Sequence, residues 1–142
     1  MKPIAIMALA LAASSCWAGL GGRPLALAGA SATPQVTPAG VAYQQQAAQL
    51  DSGATVRQFV DAQGVVFAVS WSGPFLPDLR NLLGEHFAAL RQTESAGRGH
   101  SSSMSISRPD LVLVSSGHMG AFQGRAWLPA QLPAGFDPAA MP

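Results

Sequence analysis

The sequence predicts an α+β domain, a small antiparallel sheet in the order hairpin, helix, hairpin, with one helix packed on one face. Three observations predict it. Val65 to Trp71 places Val65, Phe67, Val69 and Trp71 on one face and Val66, Ala68 and Ser70 on the other, the period-two pattern of a strand. Leu79, Leu82, Leu83, His86, Phe87 and Leu90 recur at helical spacing, the apolar stripe of an amphipathic helix. Leu111-Val112-Leu113-Val114, the turn Ser116-Gly117-His118 and the segment Met119 to Leu128 read as a hairpin, and strands grouped around one helix belong to an α+β architecture.

A leader precedes these elements. Lys2, the apolar run Ile4 to Ala13 and the small-residue end Ser14 to Ala18 are the three parts of a secretory signal. The run falls short of the roughly 20 apolar residues that span a bilayer. Cleavage after Ala18 leaves a mature chain without a transmembrane helix, periplasmic or secreted. The competing reading is a lipoprotein through Cys16, with Ala13-Ser14-Ser15-Cys16 as a lipobox carrying alanine where leucine is usual. Cys16 is the one cysteine of the chain, so cleavage after Ala18 leaves no thiol for a disulfide, for catalysis or for a metal. Lys2 is also the one lysine, and without it the arginines equal the seven acids. A neutral chain lacks the clustered positive charge of a nucleic-acid footprint.

Residues 19–40, rich in Gly, Ala, Pro and Thr, read as a flexible lead-in. A single globular domain is expected over 41–129. Val41 to Leu50 is ambiguous, because Tyr43 favours a strand and Gln44-Gln45-Gln46-Ala47-Ala48 a helix. Asp51-Ser52-Gly53 is a turn signal, Thr55 to Val60 a strand, and Asp61-Ala62-Gln63-Gly64 a tight turn into the Val65 strand. Phe67 and Leu83 are expected in one core, where the helix covers the large-residue face. Pro77 and Asp78 suit the helix start, and Gly84 weakens its middle. Residues 92–108 read as a mobile loop, and 130–142, with four prolines from Pro129 onward, as an irregular tail.

Four stretches together resemble a known family. They are Gly19-Leu20-Gly21-Gly22; Gly64 to Trp71 with Gly73-Pro74; Pro77 to Gly84; and Gly117-His118-Met119 with Phe122, Gly124-Arg125-Ala126 and Leu128-Pro129. The resemblance is to the small exported Gram-negative bacterial proteins of domain of unknown function 2844. It implies export and a single domain, and it implies no activity, substrate or catalytic residue.

No constellation of catalytic residues stands out. There is no G-x-S-x-G elbow. Ser101-Ser102-Ser103 beside His100 is a serine-rich loop. His86, His100 and His118 lack a second ligand at metal-site spacing, and Asp78 and Glu85 stand two helical turns apart. No catalytic, metal or cofactor site is expected. The strongest hint is an aromatic and arginine surface, since Trp and Arg are enriched where proteins bind partners. Trp71, Trp127 and Arg125, with His118 in its turn, are the candidate binding residues; the competing view is that both tryptophans fill the core. The expected function is a non-enzymatic binding module for an unknown protein or envelope component. The alternative is a small hydrolase or metal-dependent enzyme using His118 with Asp78 or Asp110. Convergence of His118, Arg125 and an acid in one pocket separates the two.

Overall fold

The computed structural model describes residues 18–95 and 103–142. Cys16, Trp17, His100, Ser101 and Ser102 lie outside the described residues, and with them the expected signal segment and the serine–histidine cluster. Seven strands run through the described chain: β1 (Ser31–Val36), β2 (Ala42–Gln49), β3 (Thr55–Val60), β4 (Val66–Gly73), β5 (Ser103–Ser107), β6 (Val112–His118) and β7 (Ala121–Trp127). They form one antiparallel sheet in the order β1-β2-β3-β4-β7-β6-β5. Two meanders, β1 to β4 and β5 to β7, meet where β4 pairs with β7.

The expected two-hairpin α+β class is therefore corrected to a mostly-β fold built on one seven-stranded sheet. The three extra strands are polar. Gln44-Gln45-Gln46 carries helical propensity, yet β2 is paired along both edges, by β1 and β3, and ladder bonds override a weak intrinsic preference. β1 lies inside the stretch read as a lead-in. It holds Pro34, which lacks an N–H donor and suits an edge strand. β5 lies inside the stretch read as a loop; its Ile106 is buried, opposite Leu113 of β6.

Between β4 and β5 the chain forms α1 (Leu79–Leu83) and α2 (Phe87–Ser95), separated by one 3₁₀ turn. The Asp78 carboxylate starts α1 by accepting from the Arg80 and Asn81 backbone N–H groups. Gly84, at φ +56°, breaks the helix. There the N-terminal motif is clasped to the domain. Leu20 N donates to Leu82 O at 2.9 Å, Gly21 N to Val66 O at 2.8 Å, and Val66 N to Gly22 O at 2.9 Å. Leu20 is buried. A Cβ on Gly19 would lie 2.5 Å from Asn81 O, which explains a glycine in this place.

The sheet is packed by the helices on one face and in part by the C-terminal tail on the other. On one, Leu20, Leu82, Leu83 and Leu90 pack over Val56, Val69, Trp71, Leu113 and Ala126. Gln58 is buried on this side of β3, and its amide closes two bonds with the Leu25 backbone, accepting from N at 2.8 Å and donating to O at 3.1 Å. On the other face Tyr43, Phe59 and Phe67 meet Phe136 of the C-terminal tail, with ring centroids 4.9 to 6.4 Å apart. The expectation that Phe67 and Leu83 share a core is corrected here. Phe59 pairs with Ala68 but Val60 pairs with Val66, so a bulge at Phe67 interrupts the period of two. Val66, Val69 and Trp71 face the helices, whereas Phe67 and Ala68 face the tail.

Candidate functional site

The tail covers only part of its face. Phe136 and Leu132 pack on the aromatic end, and Thr37 Oγ1 donates to Ala134 O at 2.7 Å to hold the tail there. Beyond Met141 the sheet carries polar side chains. Residues directly opposite in an antiparallel pair share a face, with Cβ atoms about 4.5–5.5 Å apart. Register therefore defines two polar rows. One is Arg57, Ser70, Arg125, continuing to Val114. The next is Thr55, Ser72, Gln123, Ser116. Neither row contains an acid.

Two hollows adjoin on this surface. One, of about 160 Å³, is lined by Ser72, Ser116, Gln123 and Arg125, with Met141 at its border toward the tail. The other, of about 520 Å³, is lined by Pro74, His118 and Phe122, and again by Ser72 and Gln123. Sharing Ser72 and Gln123, they form one shallow groove from Arg125 to the β6–β7 turn.

The electrostatics are one-sided. Among the described residues, neither Arg57 nor Arg125 has a carboxylate within ion-pair distance, unlike Arg108, whose Nε is 3.1 Å from Asp110 Oδ1. The Arg125 Nη1 donates instead to Ala139 O of the tail at 2.9 Å. Between the two guanidinium-bearing residues lies Ser70, wholly buried, with its Oγ unpartnered. A buried hydroxyl left without a partner costs about 1–3 kcal/mol. The Trp71 Nε1 on the adjacent residue is buried and unpartnered as well.

The four residues singled out from the sequence take different places. Arg125 and His118 line the two adjoining hollows. The His118 Nδ1 lies 3.1 Å from Met119 O, at the exposed turn. Trp127 is half-buried, packed against the aromatic cluster under the tail. Trp71 is buried on the helix-covered face, with its indole over Gly124, although it also contributes to the lining of the smaller hollow. Asp78 and Asp110 are engaged elsewhere, the first capping α1 and the second paired with Arg108. No group of three His, Cys, Asp or Glu among the described residues is arranged to hold a metal. Arg57, Ser70, Ser72 and Gln123 had no signal in the linear sequence beyond alternation, since their meeting depends on register between strands far apart in the chain.

The fold and the groove define a class: a mostly-β domain built on one antiparallel sheet, with a hydroxyl-rich groove that carries a basic side chain and no acidic one. The chain belongs to the family described as Protein of unknown function (DUF2844), whose model matches residues 16–141. No curated protein and no solved structure matches it. No helix among the described residues is long and apolar enough to cross a membrane.

Proposed function

We propose that this protein is an exported, non-enzymatic binding module of the periplasm or cell envelope, and that the groove from Arg125 to His118 is its binding surface. The observation that carries the reading is the makeup of the groove: guanidinium, imidazole, hydroxyl and amide groups line it, no acidic side chain does, and the last residue, Pro142, borders the smaller hollow beside Met141. General acid–base chemistry at His118 needs a partner that orients or relays its proton. The two acids considered for that role are committed to a helix cap and to Arg108. Recognition needs donors held on a rigid frame, and β4, β6 and β7 supply one.

A photo-crosslinking residue at Gln123 tests this in living cells. Expected are defined adducts in the envelope fraction, absent when the same residue replaces exposed Val36 at the β1 edge. Equal adducts at both positions, or none at Gln123, refute the groove as a binding surface. Export is tested separately by intact mass, with the mature form expected to begin at Gly19. A lipid-modified N-terminal cysteine would replace this with the lipoprotein reading.

A further inference from the structure

We infer that the ligand of this groove is an acidic saccharide, its carboxylate bound between Arg57 and Arg125 and its ring hydroxyls by Ser72, Ser116 and Gln123. The inference rests on the binding-module reading and gives it a chemical class.

The charge argument comes first. Arg57, Ser70 and Arg125 stand side by side on three neighbouring strands. With strands about 4.8 Å apart, the two arginine backbones are separated by about 10 Å. That is about one Debye length at 0.1 M salt, so the like charges are only partly screened. Neither has a carboxylate within ion-pair distance among the described residues, although Asp137 caps the tail turn whose Ala139 carbonyl Arg125 bonds. An anion placed between them meets two planar, multidentate donors, the geometry that suits a carboxylate.

Ser70 adds an independent sign. Its hydroxyl is buried, without a partner, and lies in the same row between the arginines. The Arg125 guanidinium reaches sideways to the tail carbonyl of Ala139. An arriving carboxylate competes for that guanidinium, and when Arg125 turns back over its own row the Ser70 Oγ gains a donor in the guanidinium and an acceptor in the carboxylate.

The rest of the surface decides between a bare anion and a sugar. A phosphate- or carboxylate-sized ion needs no more than the small hollow. Here that hollow opens into a larger one, and the shared wall consists of Ser72 and Gln123, a hydroxyl and an amide. Both donate and accept, as a polyol requires. Pro74 in the larger hollow offers apolar surface to the flat side of a ring.

The test is isothermal titration of the purified full chain with tetragalacturonate, with its fully methyl-esterified and therefore neutral form, and with inorganic phosphate. Expected is binding of the acid tetramer that weakens about tenfold on esterification and falls with added salt. Arg57→Gln and Arg125→Gln should each weaken it by about tenfold. Arg57→Gln is the cleaner of the two variants, because Arg57 makes no bond to the tail and its loss cannot act by releasing residues 132–141. Equal affinity for ester and acid, or an unaffected Arg57→Gln variant, overturns the assignment. Phosphate binding as tight as the tetramer, with the same arginine dependence, leaves an anion site and overturns the saccharide. No heat at millimolar tetramer, with the Gln123 crosslinks retained, overturns the ligand alone. Cleavage of the tetramer overturns the binding-module reading beneath it.

Discussion

Gly124→Ala tests the packing at the centre of the sheet. Gly124 of β7 lies directly opposite Trp71 of β4, and the indole lies over it. A methyl group at 124 would sit on the Cζ2 atom of that ring, 2.6 Å from Cε2 and 3.0 Å from Nε1. Trp71 is buried among the helix-side core, so the ring can retreat only by displacing packed neighbours or toward the small hollow that it borders. Gly124 does not have positive φ, so alanine is acceptable to the backbone and should by itself stabilise by about 0.4–1 kcal/mol through the unfolded chain. Overpacking opposes this with about 1–3 kcal/mol. The net expectation from both terms is a loss of about 0–2.6 kcal/mol. Urea unfolding reads it as a lower midpoint at unchanged slope. The decisive arm is Trp71→Phe, which removes the ring atoms that the methyl group strikes. In that background Gly124→Ala should become neutral or stabilising, a coupling of about 1–3 kcal/mol. The same penalty in both backgrounds would refute the stacking of Trp71 on Gly124.

Three further outcomes are expected. Leu83→Ala should cost about 2–5 kcal/mol and Phe67→Leu about 1 kcal/mol, and the pair should add within about 0.5 kcal/mol because they lie in separate layers; strong coupling would put Phe67 back under the helix. Gln58→Ala strips both bonds from the Leu25 backbone and should lower stability by about 1–3 kcal/mol, with faster amide exchange at Leu25; unchanged exchange would mean that Leu25 is held by other contacts. Ile106→Ala should cost about 2–5 kcal/mol in urea unfolding, and a silent substitution would return β5 to the status of a loose loop.

The sequence reveals the elements that bury large side chains. The stripe from Leu79 to Leu90 and the Val66–Trp71 run are visible because burial selects their residue types. The strands β1 and β2 are hidden because their residues are mostly polar or small and ladder hydrogen bonds, which leave no mark on residue type, hold them in place; β5 does alternate, with Met104 and Ile106 between serines, but over only five residues at the end of a Ser- and Gly-rich stretch. The Phe67 bulge is hidden for another reason: it breaks the very period by which a strand is recognised, and its neighbours on both faces are apolar. In the candidate site, Arg125 is conspicuous by type. Arg57 and Ser70 gain meaning only when β3, β4 and β7 are set in register, and that register joins residues from position 57 to position 125.

Under the proposed export, the clasp at Gly19 to Gly22 bears on the order in which the chain is made and cut. These residues emerge ahead of their partners Val66 and Leu82, so the contact can close only once the chain has grown past Leu82. For a chain cut after Ala18, the scissile bond abuts that clasp, with Ala18 O 3.0 Å from where a Cβ on Gly84 would stand. A peptidase must draw the bond into its own cleft, and a seated clasp withholds it. Processing and folding then compete for the same few residues: a chain that folds early stays tethered, and a chain that is cut early closes its clasp in free solution. Substitutions that loosen Gly19 or Gly84 should therefore leave less unprocessed precursor, even while they weaken the finished domain.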